Sequence, residues 1–92
     1  MKVNNKEYPT PVLNFSNMTK MENQGLTVSN LSDRPLTFLA AFVALAMDAD
    51  LTAAQEEIDA HLSNGGSLDE ITDELNMAVD ESGFFKAGKR PA

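Results

Sequence analysis

The sequence contains a single histidine, His61, and any nucleophile–base arrangement would have to be built on it. His61 follows Ile58 by three positions, at the edge of the apolar face of a predicted helix, and Glu57 lies one turn before it. The sequence offers no second group that would converge with the imidazole. We therefore predict a histidine at the core boundary, with no catalytic residue, no cofactor-binding residue and no enzyme activity.

Four oxygen-bearing side chains have part of the spacing of a calcium-binding EF-hand loop. Asp48, Asp50, Thr52 and Asp59 would take its first, third, fifth and twelfth positions. The sixth position is Ala53, where the loop requires glycine, and the twelfth is aspartate rather than glutamate. Thr52 is better used as a helix cap, so we predict no metal site.

Acidic residues dominate the second half of the chain. The net charge is −7, and residues 51–85 contain nine acids and no Lys or Arg, whereas residues 86–92 contain three bases and no acid. Such a chain lacks the basic face that binds nucleic acid or an anionic membrane. The helical acids also lack i,i+4 lysine partners. Two interpretations stay open: a solvated helix surface, or a surface that meets a basic protein partner.

Length and composition predict one small domain. The chain has 92 residues, is 42% hydrophobic and contains no cysteine. About 60–65% of its unfolded surface would be buried, and disulfides and thiolate metal sites are excluded. The first residues lack the apolar segment of a signal peptide, and the longest apolar run, residues 38–47, is about half of what a membrane span needs.

The N-terminal third predicts a β-hairpin and a short helix. Residues 2–4 and 8–15 form the expected strands, joined by a turn at residues 5–7. The two prolines of the second strand place it at an edge. Ser16 is the predicted N-cap of a helix that ends at Glu22.

The next predicted helix, about Pro35 to Met47 and capped by Ser32 or Asp33, is apolar nearly all round. One face consists of Leu36, Leu39, Val43 and Met47, and the other, called here the aromatic face, of Phe38, Phe42 and Leu45. Such a helix must be covered on several sides. We predict that it is the central helix of the domain; the alternative is that a partner covers part of it.

Thr52 and Gln55 predict a capping box for a helix from Ala53 to Ser63. Its core face would consist of Ile58 and Leu62. Only a short glycine-containing loop separates this helix from the last one, so the two should pack antiparallel.

The last helix has a start signal and a stop signal. Ser67 and Glu70 fit a capping box, Gly83 fits the C′ position, and Phe84 would then touch Val79. One apolar face is formed by Leu68, Ile71, Leu75, Ala78 and Val79.

Met77 lies opposite that apolar face, and Phe85 lies beyond the residue expected to close the helix cap. Methionine is favoured at adaptable binding surfaces. We predict Met77 and Phe85 as apolar anchors for a partner, with Glu74, Asp80 and Glu81 as a charged rim. If both anchors are core residues, the partner surface should instead be the aromatic face.

In total the sequence predicts a mainly α (α+β) fold in residues 1–85, with a hairpin and about four helices around a central apolar helix, and a flexible basic tail, residues 86–92.

Four segments, in order along nearly the whole chain, carry a family resemblance: Asn5–Phe15, Pro35–Leu45, Glu57–Gly66 and Glu81–Phe85. With them the chain resembles the small tail assembly chaperones of long-tailed bacteriophages and prophages. The segments from Glu57 onward are the most specific. Asn5-Lys6 departs from the Gly-Lys turn expected in the family, which affects only the turn type.

The resemblance implies a non-enzymatic protein of the bacterial host cytoplasm. Such chaperones bind the tape measure protein, keep it soluble, recruit tail tube subunits and leave before the tail matures, so they are not expected in the mature virion. Many are made in two lengths by a programmed ribosomal frameshift near the end of the short form.

Two other functions stay open. Carboxylates at helical spacing could imitate phosphates, as in an acidic DNA mimic that inhibits a host nucleic-acid-binding protein, although the charge is confined to one third of the chain. A structural head–tail connector subunit would require an oligomer, and the sequence leaves the oligomeric state open.

Overall fold

A computed structural model describes residues 1–27 and 29–82. It confirms the predicted fold class, a mainly helical domain with a small N-terminal β-hairpin. The elements are β1 (Lys2–Val3), β2 (Lys6–Glu7), α1 (Phe15–Glu22), α2 (Asn30–Asp33), α3 (Pro35–Met47), α4 (Leu51–Ser63) and α5 (Leu68–Glu81). The predicted basic tail lies outside the described residues.

The hairpin is shorter than predicted, and its turn lies earlier. Asn4 and Asn5 have φ of 54° and 63°, so the two-residue connection has the left-handed geometry of a type I′ turn, which asparagine tolerates. Lys2 therefore pairs with Glu7, in antiparallel register. The predicted strand at residues 8–15 is wrong: residues 8–14 form no regular element. Two prolines without N–H groups, at alternate positions, prevent a ladder there.

Two helices begin earlier than predicted because a different residue caps them. Asn14, not Ser16, caps α1, and its side chain accepts from the backbone N–H three residues later at 2.8 Å. Asp50, not Thr52, caps α4 in the same way at 2.9 Å. Asn and Asp cap helices at least as well as Ser and Thr, so the earlier residue took the position in both cases.

The start of α3 differs from the prediction as well. Ser32 and Asp33 do not cap α3; they belong to the four-residue helix α2. Arg34 separates the two helices with φ −136° and ψ 65°, and its side chain makes no cap hydrogen bond. Pro35 explains the break, since a proline disfavours the helical conformation in the residue before it.

Helix α3 is the centre of the domain, as predicted, and contacts α1, α2, α4 and α5. Phe38, Phe42 and Val43 are completely buried. The alternative that a partner covers the aromatic face is therefore wrong, because the domain itself covers its two phenylalanines. Asp48 ends the helix in the left-handed conformation, with φ of 55°.

A bend of 100° follows between α3 and α4. Among the described residues, no single helix is long and apolar enough to cross a membrane; only α3 and α4 taken together, across this bend, reach that length and composition.

Helices α4 and α5 both pack against α3 rather than along each other, so the predicted antiparallel pair is wrong. The all-round apolar surface of α3 offers each of them more burial than the other helix does.

Helix α5 has the predicted capping box. The Glu70 backbone N–H donates a hydrogen bond to the Ser67 side chain, and the Ser67 backbone N–H donates one to the Glu70 side chain. Its apolar face is buried or half-buried at every predicted position. The buried hydroxyl of Ser82 donates to the Leu13 carbonyl at 2.6 Å and fixes the end of α5 against the N-terminal segment. Gly83 and Phe84 lie outside the described residues.

Candidate functional site

The predicted partner-binding surface lies on the outer side of α5. Met77 is 55% exposed, although α5 buries its own apolar face in the core. Asp80 and Glu81 are exposed as well. This placement leaves Met77 accessible, as an anchor would need to be, and the anchor role stays a prediction. Phe85 lies outside the described residues.

Glu74 differs from the other members of the predicted rim. It is half-buried, and its Oε1 accepts a hydrogen bond from the Thr10 hydroxyl at 3.0 Å. The same hydroxyl lies 3.2 Å from the Met1 amino group. Together with the bond from Ser82 to Leu13, this contact holds the N-terminal segment along α5. Glu74 therefore has a structural partner, and two hydrogen bonds to the N-terminal segment fix the position of α5.

A second apolar surface lies where α3 begins and α4 ends. This apolar groove has a volume of about 290 Å³. It is lined by Leu36, Thr37, Leu39, Ala40, Gln55, Ile58, Asp59, Leu62 and Leu68. Leu36 is 69% exposed and Leu62 is 42% exposed. Two accessible leucines beside an unfilled apolar cleft make this groove a further candidate for partner binding.

Sequence reasoning missed the apolar groove because it assigned both leucines to core faces. That assignment is wrong for Leu36, and for Leu62 in part, because both side chains are exposed; each lies in a terminal turn of its helix. One signal was available in the sequence. A helix that is apolar on every side needs cover on every side, and Leu36, next to Pro35, lies in its first turn.

His61 is more deeply buried than the predicted boundary position, with 5% of its surface exposed. Its Nδ1 accepts the Asn4 backbone N–H at 2.8 Å, so the neutral ring carries its proton on Nε2. Nε2 lies 3.0 Å from the Ser67 carbonyl and 3.4 Å from the Glu70 carboxylate. The ring also occupies the space where a side chain on Gly66 would lie. His61 thus joins the hairpin to the start of α5, which is a structural role.

Glu57 joins the hairpin to α4. Its carboxylate accepts hydrogen bonds from the Tyr8 hydroxyl and from the Asn4 amide, the latter at 3.1 Å, and lies 3.3 Å from the Lys6 ammonium group. The bond from Tyr8, with help from the other two groups, lowers the pKa of Glu57 against the opposing effect of burial. The same bond raises the pKa of Tyr8 to about 12. These contacts fix the hairpin against α4.

Three of the residues that resembled a calcium loop have other places in the structure. Asp50 caps α4, Asp48 ends α3, and Asp59 lines the apolar groove. Within residues 1–27 and 29–82, no three His, Asp or Glu side chains are grouped so that they could hold a metal ion.

Comparison of the chain with protein-family models, with curated proteins and with solved structures finds no match.

Proposed function

We propose that this protein is a tail assembly chaperone of a long-tailed bacteriophage or prophage. It binds the tape measure protein and helps to recruit tail tube subunits during tail assembly. It acts without enzymatic chemistry in the bacterial host cytoplasm and is absent from the mature virion. The proposal rests on the resemblance of four segments to that family and on the accessible apolar residues of a small acidic domain.

The observation that carries the proposal is the exposure of Met77. A chaperone of this kind must offer apolar contacts to its client while it remains soluble by itself. Met77 is 55% exposed and lies one turn from both Glu74 and Glu81. An adaptable thioether within an acidic surface suits a client segment that carries apolar and basic residues.

The experiment uses the tape measure protein, which we expect to be encoded by a very long coiled-coil gene after this one. Met77→Ser should weaken its binding about tenfold, since a buried apolar anchor contributes about 1–3 kcal/mol. Asn76→Ser is the matched control, because Asn76 is a polar, exposed neighbour on the same helix. Calorimetric titration measures both affinities, and urea unfolding checks that both variants remain folded.

Three results would contradict the proposal in different ways. Failure of the wild-type protein to bind the tape measure protein would overturn the function. Normal binding by Met77→Ser would exclude the outer side of α5 as the contact. Capture of a host DNA-binding protein that added DNA displaces would favour the DNA-mimic alternative instead.

A further inference from the structure

The apolar groove has a buried floor between exposed margins. Leu39 and Ala40 are 4% and 3% exposed, whereas Leu36 and Leu62 at the margins are 69% and 42% exposed. A single exposed leucine needs no explanation. Here, however, two of them flank an unfilled cleft, and apolar side chains that entered it would lose water contact on several sides.

The shape and chemistry of the groove favour a helical occupant. Its walls are helices, and among the described residues that line it the polar ones are Thr37, Gln55 and Asp59. The described strands β1 and β2 pair with each other in the hairpin, and neither lines the groove. An extended peptide would therefore find few partners for its backbone N–H and C=O groups, whereas a helix satisfies these groups within itself.

The charges around the groove select a basic occupant. Asp59 lines the groove, and the exposed Glu56 and Asp69 are adjacent in sequence to lining residues. Residues 51–82 contain no Lys or Arg; the base nearest in sequence to a lining residue, Arg34, precedes α3. A second copy of this chain would bring a net charge of −7 toward the same charge, and like charges oppose such an association.

We propose that the apolar groove binds an amphipathic helix of the client protein. Apolar side chains at helical spacing, i, i+3, i+4 and i+7, fill the space between Leu36 and Leu62, and Lys or Arg residues beside them face Asp59. The identity of the client rests on the proposed function. The chemistry of the occupant rests on the groove alone.

Two capped peptides of about 15 residues test the groove without the client. Both carry leucine at the helical spacing above, and the remaining positions are lysine in one and glutamate in the other. The leucine–lysine peptide should shift the amide NMR signals of the first turns of α3 and the last turns of α4. The leucine–glutamate peptide should bind at least about tenfold more weakly.

A double variant, Leu36→Ser with Leu62→Ser, should bind the leucine–lysine peptide at least about tenfold more weakly than the wild type. Val12→Ser is the matched control, because Val12 is also an exposed apolar residue, at 63%, and does not line the groove. Its affinity should equal that of the wild type. Amide spectra of the three proteins without peptide establish that each is folded.

Several results would overturn the groove proposal. The shifts could map to α5 alone, or the two peptides could bind equally well. The wild-type chain could also self-associate in sedimentation through Leu36 and Leu62, which would make a second copy the occupant. Titration with the tape measure protein separates the two proposals. If the double variant binds the tape measure protein as well as the wild type does, the groove is not the client site, but the proposed function is unaffected. If the wild type binds the leucine–lysine peptide but not the tape measure protein, the proposed function is wrong and the groove still binds a basic helix.

Discussion

Glu57, together with His61, holds the N-terminal hairpin on the helices. Its carboxylate receives hydrogen bonds from Tyr8 and Asn4 and faces the ammonium group of Lys6. Hydrogen bonds to a charged group contribute more than neutral ones, about 1.5–3 kcal/mol each. The hairpin has only two residues in each strand, so its position depends on these side chains more than on its own ladder.

Alkaline pH should weaken this link. The Glu57 carboxylate raises the pKa of Tyr8 from 10.0 to about 12, so the folded protein holds the phenolic proton more tightly than the unfolded chain does. The stabilisation is complete below pH 10 and is lost as the pH rises through about 12. Tyr8 is the only tyrosine and there is no tryptophan, so the ultraviolet absorbance of phenolate reports its titration directly.

Glu57→Gln is the matched variant for this measurement, because it keeps the shape of the side chain and removes its charge. Its Tyr8 should titrate nearer to 10.0, the ordinary pKa. Tyr8→Phe should lower the free energy of unfolding by about 1–2 kcal/mol below pH 10. Identical phenolate titrations in the wild type and in Glu57→Gln would show that the carboxylate does not hold the hydroxyl.

At this scale, local chemistry could be predicted from the sequence and distant pairing could not. The Ser67–Glu70 capping box was predictable because both partners lie within four residues. The bond between Tyr8 and Glu57 joins positions 49 apart, and no spacing rule indicates it. The cap of α1 was predicted wrongly at Ser16. Asn14, two residues earlier, is an equally good cap, and the sequence alone does not decide between them.

Helix α3 organises the other elements. It contacts the four other described helices, and its middle is completely buried at Phe38, Phe42 and Val43. In its first turn, by contrast, Leu36 is exposed. One helix therefore supplies both the centre of the domain and one margin of the apolar groove.

Truncation of two apolar side chains on α3 should change the free energy of unfolding by very different amounts. Phe42→Ala should cost about 3–5 kcal/mol of unfolding free energy, because it removes a fully buried ring and leaves a cavity. Leu36→Ala should change the unfolding free energy by no more than about 0.5 kcal/mol, since its side chain is 69% exposed. Urea denaturation measures both. A large loss for Leu36→Ala would mean that Leu36 belongs to the core and that the groove has no accessible margin.

Long, strongly patterned elements were predictable at this scale. The bounds of α3 and the face and cap of α5 agree with the sequence. The arrangement of α4 and α5 was predicted wrongly, because a short loop favours an antiparallel pair and the apolar surface of α3 attracts both helices instead. The hairpin was predicted with the wrong turn, because both asparagines at positions 4 and 5 tolerate the left-handed conformation.

The described part of the molecule combines acidic side chains with accessible apolar ones, among them Met77 on α5 and the margins of the apolar groove between α3 and α4. The negative charge keeps such a protein soluble and favours basic partners. The fold class followed from composition and periodicity. The groove did not, since its lining comes from the start of α3, the later part of α4 and the start of α5, which lie side by side only in the folded chain.

The soluble yield of the tape measure protein tests the central claim most directly. The tape measure protein is expressed alone, with this protein, and with the variant that combines Met77→Ser, Leu36→Ser and Leu62→Ser, and the soluble and pelleted fractions are compared after centrifugation. The account predicts that the wild-type chain moves most of the tape measure protein into the soluble fraction and co-purifies with it, and that the triple variant, although folded, does neither. A tape measure protein that partitions identically in all three cultures would contradict the proposed function.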